Sequence, residues 1–179
     1  MLKETDVVLM LVDVQGKLAQ IIHDSEQLHK KTVQLIKGLQ TLNIPIIWME
    51  QNPQGLGPTS PEISELLTTE APISKMTFNA LETEAVIKEL QQTERKQVLL
   101  AGIESHICIY QTAKALTSLS YNVQVVADAV SSRTKDNHEL ALSRLQKENI
   151  SLTSVEMALF EMLRTAEHPK FKEVLKAIK

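Results

Sequence analysis

With one cysteine in 179 residues, no intrachain disulfide can staple this chain. Its stability must come from its core, and one domain of this size buries roughly 70% of the surface its unfolded chain exposes. No apolar run approaches the ~18 residues of a membrane span. No arginine- or lysine-led apolar leader precedes a small-residue cleavage site, so a reducing cytoplasm is the expected compartment. Aromatic residues make up only 3% of the chain, and the formal charge is −3 with lysines and glutamates interspersed. A basic patch and a row of stacking rings are therefore both missing, which speaks against nucleic acid or a membrane surface as partner. Low-complexity tracts, linkers and repeats are absent too, so a single domain over residues 1–179 acting on a small molecule is expected. The five histidines, His23, His29, His106, His138 and His168, contain no short-spaced pair suited to zinc, and neither a metal nor another cofactor is expected.

What is present is a regular alternation. Six apolar runs rich in Val, Ile and Leu, at about 6–12, 45–49, 72–75, 97–102, 122–127 and 150–153, read as strands buried on both faces, as in a parallel sheet. Helical stretches lie between them. Leu28, Thr32, Leu35, Ile36 and Leu39 mark one helix face, with Asp24 or Ser25 as its cap. A second helix is predicted from about Leu81 to Gln91. Capping-box pairs stand at Asn79 with Glu82, Asp136 with Glu139, and Thr153 with Glu156. A last helix after His168-Pro169 carries Phe171, Val174, Leu175 and Ile178 on one face, to dock on the core or on a second subunit. The segment from Gln51 to Thr59 shows neither pattern, and its place beyond a strand's carboxyl end makes it a candidate lid.

Chemistry-bearing residues fall at strand ends. Asp13 closes the first run, Lys75 the third, and Cys108 lies just past the fourth, where a helix is predicted to begin at Ser105. Unpaired amides and the helix dipole at such a terminus favour a thiolate and can hold an oxyanion. Each residue also has a plain reading: Cys108 as a small buried hydrophobe, Asp13 as a cap, Lys75 as a surface amine. Together they compose an acyl-transfer set. Asp13 takes the thiol proton, the thiolate attacks a carbonyl, Lys75 balances the charge, and the backbone amides of Glu104 and Cys108 form the oxyanion hole.

The segments Asp13-Val14-Gln15, Lys75-Met76-Thr77-Phe78-Asn79-Ala80 and Gly102-Ile103-Glu104-Ser105-His106-Ile107-Cys108 resemble those of the isochorismatase-like cysteine hydrolases, and the likeness covers nearly the whole chain. The resemblance implies an Asp-Lys-Cys triad of Asp13, Lys75 and Cys108. It also implies a Rossmann-like α/β fold of three layers, α/β/α, around a six-stranded parallel sheet of order 3-2-1-4-5-6, with a cis peptide at Ile103-Glu104. Dimers or larger homo-oligomers are implied as well. Glu50-Gln51-Asn52-Pro53 running into Gly55-Leu56-Gly57-Pro58-Thr59 resembles the branch known only as isochorismatase-domain-containing proteins, which has no firmly assigned substrate. Nicotinamidases share the triad but add metal-holding aspartate and histidines after strand two, whereas no histidine stands here between Trp48 and His106. Isochorismatase itself, acting on a vinyl ether, does not depend on a cysteine, so Cys108 points to a carbonyl substrate and amide chemistry.

Several further residues carry two readings. Gln15 and Glu104 orient Lys75 or bind substrate, or else bond locally to backbone. Gln51 is a possible substrate contact. Trp48, Phe78 and Tyr110 line the pocket or belong to the core. His106 is read as a helix-start residue or pocket wall rather than as a base for Cys108, since positions two apart on a helix point about 200° apart, which disfavours direct pairing. Asp128, Arg133 and Asp136 are read as surface ion-pairing groups. The expected activity is hydrolysis of a C–N bond through a thioester on Cys108. A non-catalytic binding or scaffold role is the alternative, and a nuclease role, attached by name to some proteins of the branch, fits the acidic balance poorly.

Overall fold

The computed structural model describes residues 1–68 and 71–179. The six apolar runs form strands: β1 (Val7–Val12), β2 (Ile46–Gln51), β3 (Ile73–Lys75), β4 (Gln97–Ile103), β5 (Asn122–Ser131) and β6 (Ser151–Thr153). They pair in parallel as one sheet of order β3-β2-β1-β4-β5-β6. β1 and β4 are buried at every residue, which is why their sequences read as unbroken apolar runs rather than as alternation.

Helices cover both faces. In chain order they are α1 (Gly16–Ile21), α2 (Ser25–Thr41), α3 (Pro53–Leu56), α4 (Pro61–Ser64), α5 (Glu84–Gln92), α6 (Tyr110–Ser118), α7 (Lys135–Lys147), α8 (Val155–Leu163) and α9 (Phe171–Ala177). A 3₁₀ turn at Ala80–Glu82 precedes α5, and a π-helical turn at Ser105–Ile109 runs into α6. One core layer joins α1, α2, α4, α8 and α9 to the residues of β1 that point their way, Leu9 and Leu11. The other joins α5, α6 and α7 to Val8, Met10 and Val12. Alternation along a single strand thus feeds two cores. α9 docks on α2, where Gln34 donates to the Ile178 carbonyl at 2.6 Å.

Three details differ from the sequence reading. β5 runs on to Ser131, past a register shift opposite Leu100 and Gly102, and this extension sets Ser131 beside Ile103. Two helix caps fall one or two residues from the expected positions, and a third caps a different element. Thr134 rather than Asp136 caps α7, Ser154 rather than Thr153 caps α8, and Asn79 caps the 3₁₀ turn instead of a helix running from Leu81. Neither Asp24 nor Ser25 caps α2 through its side chain, because Asp24 is left-handed (φ 52) and the Ser25 hydroxyl reaches back to the Ala19 carbonyl.

The stretch 51–59 is not a free lid. It contains α3 and is pinned at both ends, and the fully buried Gln15 binds it through three hydrogen bonds, to the Gln51 amide and carbonyl and to the Gly57 carbonyl. Glu50 accepts from the Thr59 amide at 2.6 Å and its hydroxyl at 2.8 Å. Gly16 makes room for the segment, since a Cβ there would stand 1.7 Å from the Leu56 carbonyl oxygen.

Candidate active site

β1, β3 and β4 end on the same edge of the sheet. Beyond Val12 the backbone of Asp13 turns left-handed (φ 56), a conformation aspartate tolerates better than most residues, and its amide donates to the Met49 carbonyl at 3.1 Å. The neighbouring strand must come close here. Gly102 has φ +117, and a Cβ on it would lie 2.0 Å from the Val12 carbonyl oxygen, so only glycine fits beside the residue that carries Asp13.

Lys75 reaches across from the end of β3. Its ammonium lies 2.6 Å from Asp13 Oδ2, 2.7 Å from Gln51 Oε1 and 3.2 Å from the Thr77 carbonyl, which occupies its three donors. Gln51 is held in turn by donating to the Met76 carbonyl at 2.8 Å. Asp13 Oδ1, by contrast, is buried without a partner among the described residues. Burial raises Asp13 above the usual carboxylate range, against the pull of Lys75.

Cys108 stands in the π-helical turn, which closes on the Glu104 carbonyl through the amides of Ile107 and Ile109. The Ile103–Glu104 peptide is cis, as the resemblance implied. The Asp13 carboxylate acts on the sulfur through its charge, which disfavours the thiolate. Asp13, Lys75 and Cys108 are 3%, 2% and 6% exposed. The electrostatics correct one expectation, because the thiol is pushed up to about 12 rather than down, first by burial and then by the Asp13 carboxylate, with Lys75 offsetting only part. A helix terminus favours thiolate, but burial and then the neighbouring anion outweigh it. The resting group is the thiol.

The remaining predicted residues divide. Gln51 lies against Lys75, and Gln15 fastens the 51–59 segment. Trp48 does not line this site; it is buried in the core layer on the α2 side. Phe78 is 53% and Met76 69% exposed just beyond Lys75. His106 Nδ1 lies 2.9 Å from Ser132 Oγ. Tyr110 lies in a surface network with Glu148 and Arg144. Glu104 pairs with Arg133 at 3.1 Å, and Asp128 pairs with Lys31 at 3.5 Å while accepting from the Val155 amide. Asp136 sits in the first turn of α7. Ser105 was read only as the start of the helix, and sequence reasoning missed Ser132 and His138 as its neighbours beside the turn, since nothing local marks a contact between residues so far apart. Among the described residues no three histidine, cysteine or acidic side chains gather as a metal-ligand set.

Comparison with known proteins agrees with this architecture. The chain is 39% identical over 173 residues to isochorismatase domain-containing protein 2 of Danio rerio, covering 96% of this chain and 86% of that protein. The solved structure of MAR1 ribonuclease from Caenorhabditis elegans superposes with a TM-score of 0.92 at 34% identity, covering 99% of this chain and 91% of that one. The Escherichia coli ycaC gene product, described as an octameric hydrolase of unknown specificity, shares the fold with a TM-score of 0.92 at 22% identity, over 98% and 88% of the two chains. The isochorismatase domain model matches residues 7–157, and the chain therefore belongs to the isochorismatase family.

Proposed function

We propose that this protein is a metal-independent cysteine hydrolase that cleaves the C–N bond of a small amide through a thioester on Cys108, with Asp13 as proton carrier and Lys75 as its fixed countercharge. The observation that carries this reading is the divided Asp13 carboxylate: Lys75 holds Oδ2, while Oδ1 stays buried and free beside a protonated thiol. A buried acceptor left unpaired costs stability, and such groups concentrate where chemistry needs them.

The sequence of events follows from the proton positions. As Sγ adds to the carbonyl carbon, Asp13 takes the thiol proton, so no free thiolate has to form in a buried site beside an anion. Negative charge passes to the carbonyl oxygen, where the amides of Glu104 and Cys108 stabilise it, each contributing about 3 to 4 kcal/mol. Collapse breaks the C–N bond, and the leaving nitrogen takes the proton from Asp13. Water then gives a proton to Asp13 as it attacks the thioester, and collapse to the acid returns that proton to sulfur. Burial raises the proton affinity of Asp13, which strengthens it as a base.

The exposed apolar pair Met76 and Phe78, next to this site, supports a homo-oligomer in which a second copy covers the entrance. A single cysteine with no disulfide partner suits the cytoplasm. Among the described residues no helix is long and apolar enough to cross a membrane. The test is an amide and ester library screened for turnover, with intact-mass measurement of the protein. An acyl increment on the native chain that is missing from Cys108→Ala upholds the reading, and turnover that survives Cys108→Ala refutes it. A second reading, RNA cleavage, takes its support from the name of the 34% identical relative. Cleavage of labelled RNA that Cys108→Ala abolishes would favour it.

A further inference from the structure

Three successive residues of the turn that carries Cys108 are each held by the segment following β5. Glu104 Oε2 accepts from the backbone amide of Arg133 at 2.9 Å and from its Nε at 3.1 Å. Ser105 Oγ lies 2.9 Å from His138 Nδ1, and His106 Nδ1 lies 2.9 Å from Ser132 Oγ. The extension of β5 makes this possible, because pairing Ser131 with Ile103 delivers residues 132 and 133 alongside the turn. Ser105 and Ser132 are fully buried, so their hydroxyls depend on these partners. Burial and the nearby His23 hold His138 below the usual histidine range, which leaves a neutral ring able to accept the Ser105 proton. His138 also borders a cleft of about 110 Å³ together with His23, Asp24, Leu28 and Ser131.

These links bear on the sulfur directly. The Glu104 carbonyl accepts from the amides of Ile107 and Ile109, the two neighbours of Cys108, at 3.0 and 3.2 Å, so a shift of residues 104 to 106 carries the thiol with it. Buried polar links of this kind specify one geometry where apolar contacts would tolerate several.

We infer that Arg133 and His138 are positioning residues for Cys108, acting through Glu104 and Ser105 to hold the π-helical turn in register with Asp13 and Lys75. The inference rests on the reading of Cys108 as the nucleophile. Neither residue touches the reacting atoms; a displacement of the order of 1 Å at the nucleophile is enough to cost roughly a hundredfold in rate.

The test uses His138→Leu, which removes the ring nitrogens, and His138→Asn, whose amide falls where Nδ1 lies. Iodoacetamide alkylation of Cys108 at pH 9, amide exchange across residues 104–109 and kcat and KM on any amide found to be turned over are measured on each full-length variant. His138→Leu is expected to expose the thiol, speeding alkylation and exchange at least fivefold, and to lower kcat at least tenfold with KM within twofold. His138→Asn should recover most of each loss. Should His138→Leu fail to fold, Arg133→Ala, at an exposed side chain, carries the same expectation. Native-like exchange and alkylation in His138→Leu, or equal defects in the leucine and asparagine variants, would overturn the inference. If no amide is turned over by the native protein while alkylation still responds in this pattern, the positioning role stands and the hydrolase reading falls. If native turnover is Cys108-dependent and His138→Leu retains it in full, the reverse holds.

Discussion

Lys75 Nζ lies 2.6 Å from Asp13 Oδ2, yet the other oxygen of the same carboxylate has no partner among the described residues. The lysine therefore orients the acid without consuming its capacity to accept a proton. Gln51 and the Thr77 carbonyl take the other two ammonium donors, so Lys75 has no hydrogen left for a further acceptor.

Asp13→Asn should change turnover and thiol reactivity in opposite directions. Loss of the proton acceptor lowers kcat by about a hundredfold or more. Loss of its negative charge leaves Lys75 to favour the thiolate, so alkylation of Cys108 by iodoacetamide at pH 8 becomes several-fold faster. A merely structural Asp13 would give no such split. In the native protein, alkylation at pH 6 should be slower than for a free thiol, because the buried group stays protonated.

Stability should fall in alkaline solution because of Cys108. The folded thiol holds its proton up to about 12 and the unfolded one to about 9, so the folded state binds more protons between those values. The contribution is constant below pH 9 and is lost as pH rises towards 12, on the order of a few kcal/mol at the far end. Urea melts at stepped pH should show this slope in the native chain and not in Cys108→Ala, where the other titrating groups cancel in the difference.

Lys75→Met leaves the Asp13 carboxylate buried without its counterion. A loss of about 3 to 5 kcal/mol is expected near neutrality, because breaking one side of a buried pair strands the other. The defect should be smaller at pH 5 than at pH 8, since a stranded carboxyl whose proton affinity is already raised takes up a proton on acidification. Denaturant midpoints at the two pH values give the comparison, and equal losses would show that Asp13 stays ionised regardless of Lys75.

Gly102→Ala should cost on the order of 3 kcal/mol or more. Its Cβ would meet the Val12 carbonyl oxygen at 2.0 Å in a backbone conformation foreign to alanine. Separation of β1 from β4 at that point would move Asp13 relative to Cys108, so any protein that folds should lose turnover well beyond its loss of melting temperature.

Much of this was legible in one dimension. The run Val7-Val8-Leu9-Met10-Leu11-Val12 announces a strand covered on both sides, because no polar face interrupts it. Asp13, Lys75 and Cys108 stood out because each follows such a run, and parallel strands bring their carboxyl ends to one edge. Trp48 carried two readings, pocket or core, for a related reason: strand periodicity says that side chains alternate, but not which alternate set faces which helices, and the fold puts it in the core. The caps at Thr134 and Ser154 were missed because the capping-box pattern fits Asp136 with Glu139 and Thr153 with Glu156, whereas the true caps are followed three residues on by Asn137 and Met157.

Residue order alone settled the strands, the helix-bearing stretches and the three side chains at strand ends, because these depend on periodicity and on short-range backbone chemistry. Folding decided the proton affinities of Asp13 and Cys108 and the bracing of the site. Proton affinity depends on burial and on ions brought close from far along the chain, which is how a thiol expected to ionise readily came to be held protonated beside a raised carboxylate. The supports at Gln51, Arg133 and His138 belong to the same class, since a hydrogen bond between distant segments has no local signature until the sheet has set them side by side.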